Sequence, residues 1–197
     1  MCRMIRLTLA LIIASQLTAC AALVVGGVAA TGMAVHDRRS VGTVMDDNIL
    51  RVRVRDTLYG QEFLNDDVRI KVQAHNGWVL LAGEAIDNER VAQAEKVVSE
   101  IEGVRRLFNE LAPMERRGAG QASADKWLST RVNGSLTGIR DLPGFDATRV
   151  KVTSTRGTVY LMGLVSHEEA KHVIERARTV RGVERVVTLF EYLDELV

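Results

Sequence analysis

The pattern of apolar and polar positions divides most of the chain into short helices and strands. Spacing of apolar residues along one face predicts a first helix from Asp47 to about Leu58. The residues of this face are Ile49, Leu50, Val54 and Leu58. Apolar and polar residues then alternate over 69–74 and 78–82, which predicts two strands. The Asn-Gly pair at 76–77 between them favours a two-residue hairpin turn.

A second helix and a third strand complete this unit. Asp87 is a suitable N-cap, and apolar residues follow it at helical spacing. They are Val91, Ala94, Val98 and Ile101. Gly103 is suited to end the helix in a left-handed cap, and 104–111 is predicted to be a strand. Because two helices must bury their apolar faces on one side of a three-stranded sheet, this order of elements predicts an α+β fold.

The whole unit occurs twice. Residues 76–83 return as 156–163, with Gly, Val, Leu and Gly in the same places and an offset of 80. Self-similarity at a long fixed period indicates a duplicated module. The second copy predicts a helix over 124–137, strands over 149–154 and 158–162, a helix over 167–180 and a strand over 183–192. Ser166 and Glu169 fit a capping box at the start of its second helix.

These elements place two modules in the chain. We assign residues 46–112 to the first module and 124–197 to the second module. Residues 113–123 contain Gly118, Gly120 and one proline, which is typical of a linker. Modules of this size have small cores that apolar packing alone must hold together.

The N-terminal residues have the pattern of a secretory signal. Arg3 and Arg6 precede an apolar run over 7–14 that is too short to span a bilayer. Residues 17–20 resemble the bacterial lipobox, so we expect 1–19 to be a lipoprotein signal peptide. An ordinary signal peptide with an incidental cysteine is the alternative.

A processed Cys20 would carry acyl chains that anchor the protein in a membrane. Ala21, rather than Asp, follows the cysteine, which by resemblance to lipoprotein sorting rules favours the outer membrane. Residues 20–45 are then a lipidated tether. Within it, Arg38 and Arg39 are either part of a solvated linker or a contact to an anionic leaflet.

Charge is distributed unequally between the modules. The chain has a formal net charge of +1, but residues 46–112 carry −4 and residues 125–190 carry +4. Neither module has the density of Lys and Arg expected of a nucleic-acid binder, so no nucleic-acid partner is predicted. The only cysteines, Cys2 and Cys20, lie in the N-terminal segment, which leaves no disulfide for the modules.

Residues suited to catalysis or metal binding are scattered. The histidines are His36, His75, His167 and His172, and the pair Glu168 and His172 lacks further ligands. The modules contain no glycine-rich phosphate loop and no cysteine nucleophile. We therefore expect a protein that is not an enzyme and needs no cofactor and no metal.

The duplicated unit resembles the BON domain, a module of bacterial periplasmic and outer-membrane proteins. The resemblance rests on the Gly-x-Val-x-Leu-x-Gly strand, the helix after it and the Gly-Val pair that ends the helix, all present twice. It implies a mixed three-stranded sheet packed on two helices in each module. It further implies a lipid-anchored outer-membrane protein that contacts anionic phospholipid through its second module and supports envelope integrity.

The first helix of the second module carries the residues that best fit such a contact. Trp127 lies one step off the core face formed by Leu128, Val132 and Leu136. An indole beside cations suits a lipid headgroup interface. The predicted phospholipid site comprises Lys126, Trp127, Thr130, Arg131 and Gly134. The alternative is that Trp127 packs under a neighbouring loop or on the other module. The loop 142–145 would either add apolar contact to the membrane or act as a buried anchor.

Apolar residues also occupy the sheet faces that point away from the helices. They are Trp78 and Leu80 in the first module and Tyr160 and Met162 in the second. An apolar outer face indicates contact between modules or with a protein partner. The alternative function is therefore a scaffold that binds outer-membrane assembly proteins.

Overall fold

The computed structural model describes residues 37–61, 64, 68–116 and 118–193. The predicted signal peptide, Cys20, most of the tether and His36 lie outside the described residues. Within the described ranges, no helix combines the length and the apolarity needed to cross a membrane.

Each module has the predicted order of helix, strand, strand, helix and strand. The first module contains α1 (Val41–Tyr59), β1 (Val68–His75), β2 (Trp78–Ala85), α2 (Asn88–Ser99) and β3 (Arg106–Pro113). The second module contains α3 (Ala119–Leu136), a 3-10 turn (Ala147–Arg149), β4 (Val150–Thr155), β5 (Thr158–Val165), α4 (His167–Arg178) and β6 (Arg185–Tyr192). The α+β class is confirmed.

The sheets are mixed because of how their strands are connected. In the first module β1 pairs with β2 in antiparallel fashion through a tight turn, and β2 pairs with β3 in parallel. The parallel pair needs a crossover, which α2 provides. The second module repeats this arrangement in the order β4, β5, β6.

Both helices of each module pack on one face of its sheet. In the first module Leu50, Val54 and Leu58 of α1 meet Val79 and Leu81 of β2 in a buried cluster. The second module buries the equivalent cluster, with Leu128, Val132 and Leu136 against Val159 and Leu161. These predicted core residues therefore face their cores. The prediction for Ile49 is wrong, since its side chain is 54% exposed. Adjacent helical residues are rotated by roughly 100°, so Ile49 points away from the side on which Leu50 is buried.

The glycines of the repeated strand motif are explained by the backbone. Gly77 and Gly157 each have a φ of +72°, so they complete the hairpin turns in the left-handed region. At Gly83, a Cβ would lie 1.9 Å from the backbone oxygen of Arg69 on β1, and at Gly163 it would lie 2.4 Å from that of Arg149. Only glycine permits this approach of the two strands.

Several helix boundaries differ from the predictions, three of them for a clear reason. Helix α1 begins at Val41, six residues earlier than predicted, because the Ser40 hydroxyl caps it by accepting from Thr43 N–H. Helix α3 begins at Ala119, inside the segment predicted to be a linker, where its alanines favour helix. Helix α2 ends at Ser99, and Gly103 takes its φ of +97° in the loop that follows.

The sheet faces that point away from the helices pack against each other. Leu80 and Ala82 of β2 are fully buried against Tyr160 and Met162 of β5, with Leu189 of β6 completing the cluster. Trp78 and Phe108 border it, with ring centroids 5.4 Å apart. The two modules therefore form four layers, in which the two sheets lie between the two pairs of helices. Of the two predicted uses of this face, contact between modules is the one found.

Candidate functional site

Helix α3 lies on the outside of the second module and presents one side to solvent. Its core side buries Leu128, Val132 and Leu136. Trp127 points away from this core with 67% of its surface exposed, the largest exposure among the bulky apolar side chains of the described residues. The predicted alternative, in which Trp127 packs under a loop or on the other module, is wrong.

The remaining predicted residues are also exposed, but they do not form one cluster. Trp127 and Gly134 occupy the outermost side of α3, and a Cβ at Gly134 would meet only open space. Lys126 and Thr130 lie on one flank, where they line a groove beside β4. Arg131 lies on the other flank, with its Nη2 3.2 Å from the position of a Cβ at Gly182. The Thr130 hydroxyl donates to the carbonyl oxygen of Lys126 at 3.0 Å.

A buried aspartate of α3, Asp125, lies directly before the exposed Lys126 and Trp127 and fixes this part of the helix. Asp125 Oδ1 accepts the N–H of Arg156 at 2.9 Å, which fixes the turn between β4 and β5. Its Oδ2 lies 3.3 Å from Arg69 Nη2 and 3.5 Å from Lys71 Nζ, both on β1 of the first module. Sequence reasoning missed this residue. Its signal was its place one turn before the core residue Leu128, which is also the place of Asp47 before Leu50.

The arginine pair before α1 is not a solvated linker, and its charges are occupied within the protein. Arg38 forms a bidentate pair with Glu169 at the start of α4, at 2.6 and 2.8 Å. Arg39 pairs with Asp47, a buried carboxylate that also accepts the N–H groups of Asn76 and Gly77. The solvated-linker interpretation is therefore wrong. Arg39 is buried with its partner, and contact with an anionic leaflet stays a prediction for Arg38, whose side chain is 26% exposed.

The pKa values of Lys71 and Glu169 are both shifted, for different reasons. Burial lowers the pKa of Lys71, and the Asp125 carboxylate only partly offsets this. Burial also opposes ionisation of Glu169, but hydrogen bonds from Arg38 and from Ser166 N–H outweigh it, so the pKa of Glu169 lies below its ordinary value. The predicted capping box of Ser166 and Glu169 is confirmed.

The loop after α3 is a buried anchor rather than an exposed apolar contact. Leu142 is buried, and Phe145 packs against the core of the second module. The prediction that this loop adds membrane contact is therefore wrong, and its alternative is confirmed.

Two of the described histidines, His167 and His75, have structural contacts. His167 stacks on Tyr192 with ring centroids 4.1 Å apart, and His75 Nδ1 lies 3.9 Å from Glu191 Oε2. Over the ranges that the structure describes, no group of three His, Cys, Asp or Glu side chains could hold a metal ion.

Comparison with known proteins identifies the modules. The BON domain family model matches residues 46–112 and 124–194. The "Outer membrane lipoprotein DolP" of Haemophilus influenzae is 32% identical over 179 residues, covering 90% of this chain and 91% of that protein. The "21 kDa hemolysin" of Actinobacillus pleuropneumoniae is 37% identical over 157 residues, covering 80% and 79%.

A solved structure was also matched, the C-terminal domain of the type III secretion protein CdsD of Chlamydia trachomatis. It has a TM-score of 0.27 and 14% identity, and covers 74% of this chain and 67% of that one, which is too low to support any argument. The family match and the two relatives confirm the resemblance seen in the sequence. The chain belongs to the BON domain family and contains two copies of the domain.

Proposed function

We propose that this protein is a lipoprotein anchored in the outer membrane, facing the periplasm, that binds anionic phospholipid through α3 and helps to maintain envelope integrity. One observation carries the proposal: an indole that is 67% exposed lies on the outermost side of α3, between a lysine and an arginine on the two flanks. An amphipathic ring with cations beside it is suited to the headgroup region. The relative described as an outer-membrane lipoprotein supports the location.

Each predicted residue has a physical role in this contact. Trp127 would insert at the boundary of headgroups and acyl chains, while Lys126 and Arg131 would attract phosphates, each by about 1 kcal/mol near an anionic surface. Gly134 has no side chain and Thr130 has a short one, so they would leave space beside the indole for a lipid headgroup. The acyl chains predicted on Cys20 would keep α3 near the bilayer, so that α3 itself need bind only weakly.

Vesicle flotation of the unacylated chain tests the proposal. We expect binding to phosphatidylglycerol vesicles and not to phosphatidylcholine vesicles, and we expect Trp127→Glu to abolish it. Ile49→Glu is the matched control, because Ile49 precedes the core residue Leu50 of α1 as Trp127 precedes Leu128 of α3, and it is also exposed. Parental binding by Trp127→Glu would overturn the proposal.

A second candidate function is a scaffold that binds outer-membrane assembly proteins. The sheet face from which we predicted it is occupied, since Leu80 is fully buried between the modules. Helix α1 offers another surface, because four aliphatic side chains on the side away from its core are 43% to 60% exposed. They are Val41, Met45, Ile49 and Val52. This surface lies on the far side of both sheets from α3, so a membrane that contacts Trp127 would leave it open to a protein.

Photocrosslinking in cells separates the two candidates. A crosslinking residue at Ile49 should capture a component of the outer-membrane assembly machinery if the scaffold function is correct. The same residue at Trp78, which borders the buried cluster, is the control. Crosslinks from Ile49 only to lipid would remove the scaffold candidate.

A further inference from the structure

We propose that a groove between α3 and β4 binds the phosphate of a phospholipid headgroup, with one ammonium group supplied by each module. This rests on the function proposed above, because α3 must lie at the membrane for a headgroup to enter the groove. The first module is then part of the lipid site, although the exposed indole belongs to the second.

The groove has the size and the lining of a small polar ligand site. Its volume is about 400 Å³, within the range of about 300 to 1,000 Å³ that is usual for such sites. It follows β4, which is an edge strand of its sheet. Its polar lining residues are Lys71, Lys126, Ser129, Thr130, Asn133 and Thr153.

Lys71 is the residue that makes the groove a site shared between the modules. It projects from β1 of the first module and donates to the carbonyl oxygen of Ser154 at 2.5 Å, while its Nζ lies 3.5 Å from Asp125 Oδ2. An ammonium group has three N–H donors, so these contacts leave one for a phosphate oxygen. Burial lowers the pKa of Lys71 even with Asp125 nearby, because an ammonium group that is partly removed from water is disfavoured in its charged form.

The charged side chains that line the groove also favour an anionic ligand. Among the described residues that line it there are two lysines and no carboxylate. A larger groove of about 500 Å³ beside α1 is different, since Asp46 and Glu102 line it together with Arg53 and Arg105. Of these two grooves, the one beside α3 is the one whose lining carries cations alone. Lys126 gives it an exposed ammonium group, while the charge of Lys71 is shared with the Asp125 carboxylate behind the groove. Hydroxyl and amide groups of Thr130 and Asn133 would suit the glycerol hydroxyls of phosphatidylglycerol.

Titration with glycerol phosphate, followed by NMR, tests the groove without a membrane. We expect amide shifts at Thr130, Asn133 and Thr153, and affinity about fivefold lower in Lys71→Met, as loss of one nearby charge predicts. Lys71→Arg should retain binding. Lys171→Met removes the same charge from an exposed position on α4 and should change nothing.

A second variant addresses the role of Lys71 in holding Asp125. Asn133→Asp adds a carboxylate to the groove on an exposed residue of α3, and should also lower the affinity for glycerol phosphate. Parental affinity in both Lys71→Met and Asn133→Asp would overturn the proposal. An equal loss in Lys171→Met would do so too, because it would indicate general charge attraction.

Vesicles distinguish a lipid headgroup from a free phosphate compound. Lys71→Met should weaken binding to phosphatidylglycerol vesicles about fivefold. If Lys71→Met weakens binding of glycerol phosphate or of inorganic phosphate but leaves binding to the vesicles unchanged, the groove serves a soluble ligand and the headgroup assignment is wrong. Failure of the proposed function has another signature, namely vesicle binding that survives Trp127→Glu, and the glycerol phosphate titration remains informative in that case.

Discussion

The outer sides of α1 and α3 occupy equivalent places in two copies of one fold, yet they present different chemistry. Ile49 and Arg53 on α1 correspond to Trp127 and Arg131 on α3, at an offset of 78. Exposed apolar side chains, Met45 and Val52, lie one helical turn from Ile49, whereas the exposed side chains around Trp127 are small or polar. Because both helices bury the same core pattern, the fold gives no reason to prefer α3 over α1 as the lipid-binding helix. The proposal for α3 rests on its outward side chains.

Each copy buries an aspartate at the equivalent position of its first helix, and the two carboxylates are neutralised by different partners. Asp47 receives Arg39, from the residues just before α1, whereas Asp125 receives Arg69 and Lys71 from the other module. Each aspartate also holds the hairpin turn of its own module. The second module thus depends on the first for the charges that neutralise Asp125 of α3, while the first depends on the tether for the charge that neutralises Asp47.

The largest effect is expected from removing the carboxylate that joins the modules. Asp125→Ala removes the carboxylate shared by the partly buried Arg69 and Lys71 and leaves the Arg156 N–H without its acceptor, so we expect the free energy of unfolding to fall by about 3 kcal/mol. Urea denaturation followed by circular dichroism measures it. The control is Asp141→Ala, an exposed aspartate of the same module, which should change stability by less than about 0.5 kcal/mol. Equal midpoints for the two variants would contradict a joining role for Asp125.

A smaller effect is expected from Glu169, whose contribution to the free energy of unfolding depends on pH, unlike that of its counterpart in the first module. Glu169 is buried against Arg38, while the equivalent Glu89 of the first module is exposed. Glu169→Gln should cost about 2 kcal/mol at pH 7, because it removes a charge-assisted pair. Since the pKa of Glu169 is lowered in the fold, its contribution is present above the unfolded pKa of about 4.3 and is lost as the pH falls through the folded value.

Denaturation of the parent and Glu169→Gln between pH 7 and pH 3 should therefore show two stabilities that converge on the acid side. The free energy of unfolding of Glu89→Gln should stay close to that of the parent over the whole pH range. A gap between parent and Glu169→Gln that stays constant down to pH 3 would show that the carboxylate charge of Glu169 is not what stabilises the fold.

The smallest effect is expected from Gly134→Ala, which should increase stability but weaken binding to lipid. Gly134 sits inside α3 with open space around it, so Gly134→Ala should raise the free energy of unfolding by about 1 kcal/mol. If the low surface beside Trp127 matters for lipid contact, the same variant should bind phosphatidylglycerol vesicles more weakly. Flotation and urea denaturation of one preparation measure both. Stronger binding together with higher stability would show that Gly134 has no part in the site.

The sequence predicted the repeated elements well because their signals are local. Helical spacing, the Asn-Gly turn and the capping box each depend on residues a few positions apart, and Trp127 was placed on the outside by its offset from the core face. Contacts between distant residues carry no such signal. The pairing of Arg38 with Glu169, 131 positions away, and that of Lys71 with Asp125 depend on how the sheets pack. Trp78 and Leu80 indicated that the sheet face pointing away from the helices is apolar, but they did not indicate which surface covers it.

Fluorescence of Trp127 on vesicles tests the central claim most directly. The chain has two tryptophans, and Trp78→Phe keeps a ring against Phe108 while leaving Trp127 as the only emitter. On phosphatidylglycerol vesicles we expect its emission to shift to shorter wavelength and to be quenched by lipids brominated near the headgroup, with neither change on phosphatidylcholine. Emission that stays that of an indole in water, on vesicles that the protein has bound, would contradict the claim that α3 meets the membrane.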